Sequence, residues 1–198
     1  MKKLPKNYYL AEDVCEVARD LLGKELFTFS EGKTTSGIIV ETEAYSYRER
    51  ACHAYGNRRT SRTETLFLEG SISYVYLCYG MYNLFNVVTN ADGVAEAVLV
   101  RALEPALSVD QMVRRRGHRE SSRALTSGPG KLTIALGIDS TFNKEDLTGN
   151  RVWIEDAGMV IDTNAIVATE RVGVDYAGDD ARLPWRYYIK GNKWVSKQ

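Results

Sequence analysis

Gly37-Ile38-Ile39-Val40-Glu41-Thr42-Glu43-Ala44-Tyr45 is the stretch from which the rest of the chain is read. Three β-branched apolar residues in a row favour a strand with buried surroundings. Two carboxylates and a tyrosine follow, where such a strand would leave the core. Strict alternation puts Ile39, Glu41, Glu43 and Tyr45 on one face and Ile38, Val40 and Thr42 on the other. An acid two residues from an aromatic, beside buried apolar residues, suits a hydrolytic site around a flat substrate. The same fragment also reads as a strand end whose acids are solvated or salt-bridged.

Upstream, residues 10–22 have the apolar stripe of an amphipathic helix, ending at Gly23. A strand over 26–29 and the turn Glu31-Gly32-Lys33 make a hairpin with the strand over 35–43. Downstream, residues 73–82 are aromatic and β-prone, and Tyr79-Gly80-Met81 reads as a protruding turn. Strands over 86–89 and 95–101 flank the turn signal Asn90-Ala91-Asp92-Gly93. A helix over 109–116 and a helical pattern over 132–136 follow. Strands are expected over 151–155, 165–174 and 186–190. Without regular βαβ alternation this is an α+β fold: one domain over residues 1–198, its mixed, mostly antiparallel curved sheet flanked by helices.

The totals narrow the function. With 198 residues, 44% apolar and 26% charged, the chain can bury a sizeable core. Zero formal net charge argues against binding nucleic acid by bulk charge, though not against a local basic face. The three cysteines, Cys15, Cys52 and Cys78, are scattered and joined only by His53 and His118. No zinc site is expected from them, and free thiols suit a reducing cytoplasm. No signal peptide or membrane-spanning run is read, so no membrane partner is expected.

Two stretches carry chemistry beyond the opening strand. Residues 47–62 form a polar segment without periodicity, rich in arginine, including Arg58, Arg59 and Arg62. Long structured loops in compact domains are usually functional, and arginine suits phosphate, although a solvated surface loop has the same look. Ser127-Gly128-Pro129-Gly130-Lys131 places glycines and a lysine at a helix start, where backbone N–H groups can hold phosphate. It lacks the spacing of a P-loop. Arg114, Arg115, Arg116, Arg119 and Arg123 read equally as helix-end charge and as phosphate contacts. Tyr79 and Met81 read as wedges into a base step, or as side chains of an ordinary sheet.

Read together, six ordered blocks resemble the alkyladenine (3-methyladenine) DNA glycosylase family, in its compact form. They are IVETEAY (39–45), HAYGNRRTSR (53–62), YVYLCYGMYNLFNVVT (74–89), VLVRALEP (98–105), SGPGKL (127–132) and RVGVDYAG (171–178). The resemblance implies a monomer that flips alkylated or deaminated purines out of double-stranded DNA and hydrolyses their N-glycosidic bond, without lyase activity, metal or cofactor. Glu43 matches the catalytic acid, and Arg101 the arginine that positions the water with it. Tyr45 and Tyr76 match the stacking walls of the base pocket, His53 a base contact, Asn86 the residue that crowds a 2-amino group, and Val172 a pocket lining. Tyr79 matches the residue inserted into the gap left by the base, and Met81 sits on the same turn. Arg58, Arg59, Arg62, Gly130 and Lys131 are the candidate phosphate contacts. Asn57 stands where the family usually has Gly, and Ser61 where it often has Pro.

A tyrosine sandwich favours cationic or electron-poor bases by about 0.5–2 kcal/mol per contact. Glu41 is read as structural, pairing with a loop arginine. Two other readings compete: a non-catalytic binder of damaged DNA, which needs no carboxylate facing a sugar, and a nucleoside hydrolase, which leaves the arginine loop and Tyr79 without work.

Overall fold

The computed structural model describes residues 2–117 and 122–197. His118 and Arg119 lie outside the described residues. The elements are β1 (Lys2–Lys3), α1 (Val14–Asp20), β2 (Glu25–Ser30), β3 (Lys33–Ser46), β4 (Ser73–Cys78), β5 (Tyr82–Val88), β6 (Glu96–Leu107), α2 (Val109–Arg115), α3 (Pro129–Leu136), β7 (Val152–Asp156), β8 (Ile166–Thr169) and β9 (Arg186–Ile189). The strands join one sheet in the order β1-β7-β2-β3-β6-β5-β4, with β9 on β3 and β8 on β9. Every pairing among the named strands is antiparallel. The fold is α+β, as the absence of βαβ alternation predicts.

The 14-residue β3 organises the sheet. β6 runs along one side of it. On the other side β2 covers the first half and β9 the stretch Glu41–Glu43. The two acids therefore sit on a strand paired on both edges, and both are fully buried. One face packs on α1, whose Val14, Val17 and Ala18 join Val40, Ala44 and Leu103 in the main core. Thr42 fastens that face by donating to the Ala18 carbonyl at 2.7 Å.

Strict alternation fails at one point. The β3–β6 register steps from Ile39↔Leu103 to Glu41↔Ala102 and then to Thr42↔Val100, so Val40 and Arg101 have no ladder partners. Ile39 thus lies in the main core with Val40, not on the face of the acids. A bulge re-aims side chains, and here Arg101 reaches both Glu41 and Glu43.

Two other expectations shift. The helix expected from residue 10 begins only after Asp13, whose carboxylate accepts from Cys15 N–H; Leu10 closes a 3-10 turn over Lys6–Leu10, and Ala11 and Asp13 are extended. The strand expected over 165–174 stops at Thr169, because Arg171 turns into the protein. A 3-10 stretch, Asp175–Arg182, follows.

Candidate active site

A cavity of about 640 Å³ opens where β3, the β4–β5 hairpin, the start of α3 and the segment after β8 meet. That is ample for a purine nucleotide. Tyr45, His53, Tyr76, Asn86, Arg101 and Val172 all line it. So do Tyr79, Arg62, Gly130 and Lys131, so most of the residues singled out from sequence converge here.

Glu43 is fully buried just behind this wall. Its Oε2 accepts hydrogen bonds from the Tyr45 hydroxyl at 2.7 Å and Arg101 Nη1 at 3.1 Å. Its Oε1 accepts the Val172 backbone N–H at 2.7 Å. All three donors line the cavity. Burial pushes the Tyr45 hydroxyl well above its ordinary range and the Glu43 charge adds to it, so Tyr45 stays a donor. Burial works against the Arg101 charge, but Glu43 and Glu41 outweigh it and raise the guanidinium further.

Glu41 does not pair with a loop arginine. It accepts from Arg101 at 3.3 Å and Arg186 at 2.8 Å, and from the backbone and hydroxyl of Ser196 at 2.6 and 2.9 Å. It holds Arg101 from behind and anchors residues 195–197 to the sheet.

The aromatic side of the cavity is a cluster. Tyr74 and Tyr76 stack, their centroids 5.3 Å apart and rings inclined by 28°. The His53 ring meets Tyr76 edge-on at 4.6 Å, and its Nδ1 lies 3.0 Å from the Tyr74 hydroxyl. Burial, then the nearby Arg62 charge, hold the His53 imidazole down to about 4, so it is neutral near pH 7. Asn86 is buried, its amide donating to the Tyr74 carbonyl at 3.0 Å.

The hairpin tip projects from the cavity mouth. Tyr79 is 88% exposed and Met81 68%. Tyr79 and Gly80 both have positive φ, as primed hairpin turns require. A tyrosine at φ 50° is uncommon and costs about 1 kcal/mol or more, a cost that tends to mark functional sites.

The arginines divide. Arg58 is exposed. Arg59 is paired with Glu64 at 2.9 Å and lies over Phe67. Arg62 lies over Tyr76 at the pocket wall. Arg115 donates to the Ser30 and Ala135 carbonyls, Arg116 to the Ala124 carbonyl and Arg123 to the Val195 carbonyl, so these brace the fold. Arg114 pairs with Asp110 within α2.

Arg171 and its partner Glu49 escaped the reading of the sequence. Arg171 is buried and grips both oxygens of Glu49 at 2.8 Å, the Ala44 carbonyl at 2.9 Å and the Asp180 carbonyl at 3.1 Å. Its guanidinium lies 4.8 Å from the centroid of Tyr45. The signal was an arginine beside Val172 in a β-prone stretch that otherwise called for apolar residues.

No helix of the described residues is long and apolar enough to cross a membrane. The methylpurine-DNA glycosylase family profile matches residues 8–193. A protein of Carboxydothermus hydrogenoformans named "Putative 3-methyladenine DNA glycosylase" is 47% identical over 195 residues, covering 98% of this chain and 99% of that one. One of the same name from Chlamydia felis is 42% identical over 192 residues, covering 96% and 97%. Another, from Clostridium novyi, is 41% identical over 206 aligned positions, covering both chains completely.

Proposed function

The chain belongs to the methylpurine-DNA glycosylase family, and from that membership we propose that it flips alkylated or deaminated purines out of duplex DNA and excises them by water attack at C1′. It acts as a monomer, the whole chain serving as one glycosylase domain. The observation that carries the reading is the Glu43 carboxylate, buried behind the cavity and held by three residues that line it.

In the proposed reaction Tyr45 and Tyr76 stack on the extruded base, while Asn86 crowds a 2-amino group. Tyr79 and Met81 fill the gap in the duplex. Exchange of the Tyr45 or Val172 bond for a water places that water on Glu43. The carboxylate takes a proton as the water oxygen bonds to C1′, and the C1′–N bond breaks with its electron pair passing to the purine. A cationic purine then leaves as a neutral base, a neutral one such as hypoxanthine leaves as an anion that takes up a proton from water, and the sugar keeps a hydroxyl at C1′. The negative charge of Glu43 also stabilises the oxocarbenium-like sugar, and Arg101 holds the carboxylate in place.

Single-turnover release from a duplex with one hypoxanthine tests the reading. The wild type releases the base; Glu43→Gln loses at least about a hundredfold in rate, the scale of general-base catalysis, yet binds the duplex. Full activity of the variant removes Glu43 from the chemistry. Release from free inosine but not from duplex points instead to a nucleoside hydrolase.

A further inference from the structure

We infer that Arg62 reads the base, and sets the pocket's charge preference toward an uncharged purine over a cationic N-methylated one. The inference rests on the function proposed above and replaces a phosphate contact as the reading of this arginine. Its guanidinium lies 5.2 Å from the centroid of Tyr76, and its Nη2 lies 3.5 Å from His53 Nε2. Both rings line the cavity, as does Arg62.

The charges of the other arginines around the pocket are answered. Arg101 pairs with Glu41 and Glu43, and Arg171 with Glu49. Arg59, on the same loop as Arg62, pairs with Glu64. Among the described residues Arg62 and Lys131 are the cavity-lining cations without a carboxylate partner, and of these two Arg62 is the one set over an aromatic wall. Its charge already engages the π system of Tyr76, which weakens that ring's attraction for a cationic base. It also repels a second cation directly. The Nη2 group of Arg62 faces His53 Nε2 and can only donate, which favours the neutral tautomer with its proton on Nδ1, 3.0 Å from the Tyr74 hydroxyl, and the imidazole adds no charge of its own. The tyrosine walls alone favour cationic purines, and Arg62 offsets that bias.

The test uses duplexes with one hypoxanthine or one 7-methylguanine, and wild type, Arg62→Gln and Arg62→Lys. Single-turnover release and Kd are measured at two salt concentrations. For each lesion the variant value is divided by the wild-type value, so the effect of Asn86 on the 2-amino group cancels. For Arg62→Gln the quotient for 7-methylguanine should exceed that for hypoxanthine about fivefold, the scale of one partly exposed charge at short range. Arg62→Lys, which keeps the charge, should leave the two quotients within about twofold. Equal quotients for Arg62→Gln overturn the inference. If the salt slope of binding then also falls by about one, Arg62 is a phosphate contact. The side chain is exposed, so the variants should fold; Arg62→Ala repeats the test if the Gln variant does not. Release of neither base by the wild type defeats the proposed function, and the Kd quotients still decide Arg62.

Discussion

The Glu43 carboxylate takes a 2.7 Å hydrogen bond from the backbone N–H of Val172, a residue 129 positions away. The donor comes from the main chain, so its position depends on whatever holds residues 171–173. That anchor is Arg171, locked in a two-pronged pair with Glu49. The same guanidinium backs the ring of Tyr45, which also donates to Glu43. One buried ion pair thus positions two of the three donors to the carboxylate.

Glu49→Leu leaves Arg171 buried without its counter-charge, and should cost about 3–5 kcal/mol in urea unfolding. The double variant Glu49→Leu with Arg171→Met should recover most of that stability, since both charges are gone. It should not recover base release, because Val172 and Tyr45 lose their anchor. Recovery of both stability and rate would show that the pair serves stability alone.

The start of α3 approaches the β4–β5 hairpin closely. A Cβ on Gly130 would come within 2.7 Å of Cγ and 2.8 Å of Cβ of Tyr82. Those atoms lie at the root of the side chain, so a rotamer change cannot clear them. Gly130→Ala should therefore lower stability by about 1–3 kcal/mol, as overpacking does, and shift the hairpin that carries Tyr79. Thermal unfolding checks the first effect and affinity for lesion duplex the second. An unchanged melting temperature would mean that the two elements separate without cost.

Tyr79 separates stability from function more sharply. A glycine is content at the φ of 50° found there, so Tyr79→Gly should leave stability unchanged or raise it by up to about 1 kcal/mol. The same change removes the wedge, and should reduce the flipped fraction read from the fluorescence of an ethenoadenine duplex. A variant that melts well below the wild type would show that Tyr79 packs the tip instead of straining it.

What could be read in advance follows the physics of each signal. Period-two alternation correctly put Glu41 and Glu43 on one face, because it is local. It could not place Arg101, since the bulge at Val40 depends on pairing with a strand about sixty positions on. The Arg171–Glu49 pair spans 122 positions and leaves no periodic trace. The amphipathic stripe over 10–22 ran through the break at Ala11 and Asp13, which are extended, because Leu10 is the one apolar residue of the stripe on the far side of that break and its spacing to Val14 fits a helix. Asn57, which stands where the family usually has Gly, has φ 61°, a conformation asparagine tolerates better than most residues. That departure keeps the backbone of the loop.

His53 offers a pH test with a defined sign. Its imidazole titrates at about 4 in the fold, burial being the main cause and the Arg62 charge the second, against an ordinary 6.5 when unfolded. Between those values the unfolded chain binds a proton that the folded chain does not. The contribution of the neutral ring to stability is therefore full above about pH 6.5 and lost as pH falls toward 4. The stability advantage of wild type over His53→Gln should shrink by about 2–3 kcal/mol between pH 7 and pH 4.5, measured by urea unfolding at each pH. Taking the difference between the two proteins removes the carboxylates they share. A difference that stays flat would mean that the fold accepts a protonated His53, and the ring could then carry a charge beside the base at pH 5–6.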